Sequence, residues 1–274
     1  MSSCPKFSLI CVSLLSICVC ALPVVSAAQA SEQVEVKPPL LRLTDPPAAD
    51  ATPEALEARA DQLRSAKMYL DALDYYHAAM AKIPNNARLW NKVGISELMM
   101  QRYREAKRSF EQSMKADHTF ADAHNNLGVV LYELKKYGPA VKEYRRAIAL
   151  DSDAASFFNN LGAALFAKKE FQPAFAAYQH AVELDNDVFE RSSRGGVQAQ
   201  LPSPEDRAHY DFTVARLYAK MGFSDRSLEY LRKAMEEGYK DFKDVYKDEE
   251  FATVRKDKRF TEMVAAKTPV LSEQ

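Results

Sequence analysis

Few residues in this chain have the types and spacing that chemistry requires. The five histidines are scattered, and no two share the three- or four-residue spacing that puts a pair of metal ligands on one helical face. The four cysteines, Cys4, Cys11, Cys18 and Cys20, all fall in the first twenty residues, so the remainder has no thiol for nucleophilic or redox work. No Gly-rich phosphate loop, His-Glu-x-x-His or Gly-x-Ser-x-Gly occurs. Glu249 and Glu250 stand in a charge-alternating segment that reads as solvated. We therefore expect no enzyme, no cofactor and no metal. What remains is amide chemistry. Asn125-Asn126 and Asn159-Asn160 are pairs 34 residues apart, and a carboxamide both donates and accepts, so it can pair with a peptide group whatever the side chain attached to it.

The elements that must position those amides announce themselves by the same interval. Ala72, Ala106, Ala140 and Ala174 are each 34 apart, as are Tyr69, Tyr103, Tyr137 and Phe171, and again Tyr76, Phe110, Tyr144 and Tyr178. Ala60, Gly94, Gly128 and Gly162 run in the same register. A fixed period of this size means stacked supersecondary units, each unable to bury its apolar face alone. Within a unit the apolar residues recur at helical spacing, as in Leu127, Val130, Leu131 and Leu134. The period accommodates two helices of about 13–15 residues with tight turns. Glycine inside a helix costs about 0.8–1 kcal/mol against alanine. Its return at one phase predicts close approach of the paired helix, with the alanine series facing it.

These residues resemble the tetratricopeptide pattern: an aromatic or aliphatic residue, Leu-Gly, Ala-x-x-x-aromatic, then Pro. The second unit reads Trp90, Val93, Gly94, Ala106, Phe110, and the first closes on Ala79 and Pro84. The resemblance covers residues 53–188 and implies an all-α, right-handed α-solenoid of helix-turn-helix repeats at 53–86, 87–120, 121–154 and 155–188. It also implies a concave groove lined by first helices through their second, fifth, sixth, ninth and twelfth positions. Carried onto this chain, peptide-binding candidates are Asn91, Lys92, Ile95, Leu98, Asn125, Asn126, Val129, Tyr132, Asn159, Asn160 and Phe166. Asparagine at the sixth position resembles the ladder that holds extended peptide in superhelical glycosyltransferases. The ladder is incomplete, with Ala58, Lys92 and Thr213 at the equivalent places. Two alternatives stay open: the amides hold peptide, or they bond a neighbouring helix. Likewise Tyr132 and Phe166 either meet a partner or pack between repeats, and His124, in the slot of Leu56, Trp90 and Phe158, reads as a packing residue. Co-chaperones of this family that bind an acidic C-terminus use Lys and Asn where this chain has Glu57 and Asp61, so that subtype does not fit.

Outside the repeats, Lys6, the apolar run Ser8 to Leu22 and Ala28-Gln29-Ala30 make residues 1–30 a secretory signal peptide, cut after Ala30. The net charge of −1 becomes −2 when Lys6 leaves with it, which does not suit a nucleic-acid partner. Residues 31–52, with Pro38, Pro39, Pro46 and Pro47, read as a disordered linker. The segment 189–203 is a loop or a small hairpin, 204–238 a degenerate fifth repeat, and 239–274 a helical cap and tail with an apolar stripe of Phe251, Val254, Phe260 and Met263. The expectation is an exported, periplasmic or secreted scaffold or assembly factor of the bacterial cell envelope that binds a protein or peptide. An accessory subunit or domain of an envelope enzyme, associated with a peptidase or transferase, and a scaffold anchored by an uncleaved N-terminal helix, the one case with a membrane contact, are the alternatives.

Overall fold

The computed structural model describes residues 42–190 and 203–267; the signal-peptide reading and most of the loop at 189–203 lie outside them. Every regular element described is helical: α1 Pro53–Ser65, α2 Tyr69–Lys82, α3 Ala87–Met99, α4 Tyr103–Ala116, α5 Ala121–Glu133, α6 Tyr137–Leu150, α7 Ala155–Ala167, α8 Phe171–Leu184, α9 Pro204–Lys220 and α10 Ser224–Glu236, then 3-10 segments Phe242–Tyr246, Glu249–Ala252 and Val254–Lys256, and α11 Lys258–Lys267. Odd and even helices pair as antiparallel hairpins that stack into a solenoid.

Local chemistry sets the bounds. Thr52 and Ser203 cap α1 and α9, their hydroxyls accepting from the amides of Ala55 and Asp206, with proline next in each case. Between paired helices the chain turns through Lys67, Gln101, Lys135 and Lys169, at φ 61, 60, 58 and 65°. These left-handed residues close the first helix in one way each time: Met68, Arg102, Lys136 and Glu170 donate their amides back to Leu63, Glu97, Leu131 and Leu165. The fifth hairpin makes the same turn with Gly222, at φ 84°. After α4, α6 and α8, the carboxylates of Asp117, Asp151 and Asp185 accept from the amides of Thr119, Asp153 and Asp187. Asp at this place competes with helix continuation and starts the next turn.

The glycine series does admit a close approach, but the neighbour is not the alanine. A Cβ added at Gly94 would lie 2.6 Å from Cε1 of Phe110, at Gly128 2.5 Å from that of Tyr144, and at Gly162 2.4 Å from that of Tyr178. The expectation that the alanine series faces the glycines is corrected accordingly. A ring held this close to the backbone leaves no room for a side chain at the facing position, whereas Ala140 and its equivalents are small residues buried in the same core.

Beyond the fourth hairpin, α9 and α10 pack on each other as a fifth, and Ser227 donates its hydroxyl to the carbonyl of Ala215 at 2.8 Å. The terminal apolar face is then covered. Tyr239 stacks on Phe212 at 4.5 Å, Phe251 approaches Phe212 at 5.4 Å, and Phe251, Val254, Phe260 and Met263 are all buried. At the other end, residues 42–52, within the stretch read from sequence as linker, run along α2. The buried carboxylate of Asp71 accepts from the amides of Leu43 and Thr44 and from the Thr44 hydroxyl, each at 2.8 Å. The Tyr75 hydroxyl and the Lys82 ammonium donate to the carbonyls of Asp45 and Ala49. Proline-rich backbone has few amides to satisfy internally, and here helix side chains supply the partners.

Candidate functional site

First helices touch first helices of the next repeat, α3 with α5 and α5 with α7, while consecutive second helices make no comparable contact among the described residues. The solenoid is therefore tighter on the side of the first helices. That side is the groove, and its floor changes character from one end to the other.

At the first repeat the floor is ionic. The Lys92 ammonium donates to Glu57 at 2.6 Å and to Asp61 at 2.5 Å. The Tyr76 hydroxyl, reaching across from α2, donates to the other oxygen of Asp61 at 2.6 Å, and Arg64 Nε donates to that hydroxyl at 3.2 Å. Burial, reinforced by the Asp61 bond, pushes the Tyr76 phenol well above its ordinary range. The carboxylates that spoil a clamp for an acidic C-terminus are thus already engaged by the cation of the next repeat.

The middle of the floor is the amide ladder. Asn126 donates to Asn91 Oδ1 at 2.9 Å, Asn160 donates to Asn125 Oδ1 at 2.9 Å, and Asn125 donates to Asn126 at 3.2 Å. The ladder joins α3 to α5 and α5 to α7, so of the two arrangements open in sequence the bonds to a neighbouring helix are present. Asn91, Asn125, Asn126, Asn159 and Asn160 are all buried. Buried amides that bond across elements fix register between repeats, because any slip would leave them unsatisfied.

Toward the fourth and fifth repeats the floor is aromatic. Tyr132 packs on Tyr137 with ring centroids 5.2 Å apart. Phe166 is enclosed by Phe171, His209 and Tyr210, at 5.1, 5.0 and 6.4 Å. Phe166 is therefore taken up in packing between repeats and is not presented to a partner. Ile95, Leu98, Val129 and Ala163 complete the apolar strip, all buried, with Met99 at its margin 47% exposed. Lys92 keeps about a fifth of its side chain in solvent.

The hydroxyls of Tyr132, Tyr144 and Tyr178 are buried, and among the described residues they have no hydrogen-bond partner. His124 occupies its packing slot and adds a polar tie, its Nδ1 2.9 Å from Glu143 Oε2, while Arg146 donates to the other oxygen at 2.6 Å. Against the effect of burial, these two partners hold the Glu143 carboxyl below its usual range. In the equivalent slot of the fifth hairpin, four residues before Ala215, stands Asp211. It is buried, and burial followed by the nearby Glu237 pushes its carboxyl up to about 7.

Comparison with known proteins finds matches within the same stretch of the chain. Residues 130–169 match a family model described as TPR repeat, and residues 93–146 and 155–188 match models described as tetratricopeptide repeat. Among solved structures the chain is similar to a crystal structure of MamA, with 21% identity and a TM-score of 0.45 over 67% of this chain and 96% of that one. It is similar to MamA 41-end from Desulfovibrio magneticus RS-1, with 18% identity and a TM-score of 0.48 over 69% and 96%. It is also similar to YrrB, described as a TPR protein with an unusual peptide-binding site, with 21% identity and a TM-score of 0.45 over 70% and 94%. No curated relative matches the sequence.

Proposed function

We propose that this chain, a tetratricopeptide-repeat protein, is a non-catalytic scaffold or assembly factor that holds a protein or peptide partner along its concave face in the bacterial cell envelope. The observation that supports this reading is the composition of the groove floor, which passes from an ion network at Glu57, Asp61 and Lys92 through the asparagine ladder to the aromatic end at Tyr132. The buried amide ladder fixes the register of the repeats, and Lys92 and Met99 keep the exposure that contact with an extended segment requires. The envelope assignment follows from the apolar run of Ser8 to Leu22 and the Ala28-Gln29-Ala30 site, with every cysteine confined to the segment removed.

A photocrosslinking residue at Met99, on the groove margin, should capture the partner, and one at Arg108, on the outer face of α4, should not. Capture from Arg108 alone would move the site to the convex face. Intact-mass analysis of the envelope fraction should give a chain beginning at Ser31; a mass that retains residues 1–30 would contradict export with cleavage.

A further inference from the structure

We propose that the outer face of α6, in the third repeat, is a second docking surface, and that it takes an acidic peptide segment of a protein partner. The inference goes beyond the groove and does not depend on it.

Gly138, Val141, Lys142, Arg145, Arg146 and Ala149 recur at intervals of three and four, so they share one face of α6 over about 16 Å. With Lys168, in the turn after α7, they line an open cleft of about 480 Å³. Consecutive second helices make no contact comparable to that between first helices among the described residues, which leaves a furrow on this side. Its floor is apolar and recessed, since Val141 is buried. Its ends are small. Where the other three of the first four hairpins place Leu70, Arg104 and Gln172, α6 has Gly138, and a Cβ there would meet nothing within 4 Å.

The walls are of one sign. Every exposed charged residue of α6 is a cation: Lys142, Arg145 and Arg146. Its one carboxylate, Glu143, is buried, accepts from Arg146 and lies against His124. Lys168 is paired with Glu170. Among the described residues no ion pair involves Lys142 or Arg145. The neighbouring second helices differ, for α4 exposes Glu105 and Glu111 among its cations and α8 exposes Glu183. In a chain of net charge −1 this is a local field and not a bulk property.

Cations with no acidic partner, flanking a recessed apolar floor, match carboxylates on either side of a small apolar side chain. A water molecule takes about 30 Å³, so the cleft has room for a chain segment and not only for a lone anion. A lipid surface is a poorer match, because a broad anionic plane would also meet the exposed carboxylates of α4 and α8 and be repelled by them.

The test uses the full chain and a phage-displayed library of random dodecamers, selected on the wild type and depleted on Lys142→Glu with Arg145→Glu. The surviving peptides are synthesised and titrated calorimetrically. They should carry Asp or Glu on both sides of an apolar residue and bind the charge-reversed variant about 5- to 30-fold more weakly, as expected for two exposed ionic contacts. Gly138→Trp fills the open end of the cleft without altering a charge. It should weaken these peptides while its unfolding temperature stays at or above that of wild type, and unchanged binding would show that the cleft is not used. Lys107→Glu with Arg108→Glu makes the same change of net charge on α4 and should alter binding by no more than about 2-fold at physiological salt. Equal weakening there would mean diffuse attraction and no site. Survivors without acidic residues, or no survivors, would overturn the inference. Sedimentation of the wild type, but not of the α6 variant, with phosphatidylglycerol vesicles while no acidic peptide survives would assign the face to lipid and overturn it too. Lys92→Ala with Met99→Ala, in the groove, should leave these peptides unaffected; weakening by that variant and not by the α6 variant would place them in the groove and overturn the second surface alone.

Discussion

The ring of Tyr144 lies against the backbone of Gly128 so closely that an added Cβ would sit 2.5 Å from its Cε1 atom. Tyr144 is fully buried, so its ring cannot swing into solvent to make room. Gly128→Ala should therefore destabilise the fold by about 1–2 kcal/mol, an overpacking cost of about 1–3 kcal/mol lessened by the better helix propensity of alanine. Gly128→Leu should cost more. Gly138, with open space where its Cβ would be, is the control, and Gly138→Ala should be neutral or mildly stabilising. Denaturant unfolding of the three variants checks the order. A Gly128→Ala chain as stable as wild type would show that the ring does not need the glycine.

The turn residues offer a second test. Lys135 holds φ 58°, a conformation that costs an L-residue about 1–2 kcal/mol. Glycine removes that cost but gives back about 0.4–1 kcal/mol of unfolded-state entropy. Lys135→Gly is thus expected to stabilise by about 0.5 kcal/mol. The reverse change, Gly222→Lys at φ 84°, is expected to destabilise by about 1 kcal/mol, read from urea midpoints at constant slope.

Asp211 makes stability depend on pH. Its carboxyl titrates near 7 in the fold against an ordinary value of 3.8, so the folded chain holds a proton that the unfolded chain has already released. That contribution is complete below the ordinary value and is lost as the pH rises to about 7 and beyond. Asp211→Asn keeps the shape without the charge, and should flatten the decline and stabilise at pH 8 by up to about 4 kcal/mol. Thermal melts of both proteins between pH 5 and 8 would show it; parallel curves would mean that Asp211 is charged at no cost.

Periodicity made much of this architecture legible, and its gaps have physical causes. A period assigns phase but not partner. Ala140 and Tyr144 both recur with Gly128, twelve and sixteen residues on, and only shape decides that the ring, not the methyl, fills the space over the glycine. The turns were hidden because lysine carries no signal of a left-handed backbone; Gly222, in the equivalent turn, was the one clue. The asparagines were visible as a ladder, but an amide that pairs with any peptide group pairs as readily with another amide, so composition could not choose between ligand and neighbour. Asp71, which orders the strap of residues 42–52, looked like one more charge in the first turn of a helix. Its role lies in contacts with backbone about 27 residues away, which no local pattern encodes.

Whether the concave face holds the partner is decided by the affinity of the crosslinked partner for two double variants. Lys92→Ala with Met99→Ala, the groove residues that keep solvent exposure, assayed at a temperature where circular dichroism shows the chain folded, should bind about 5- to 10-fold more weakly. Lys107→Glu with Arg108→Glu, on the outer face of α4, should bind as wild type does. Unchanged affinity in the groove variant together with lost binding in the outer-face variant would place the partner on the convex face.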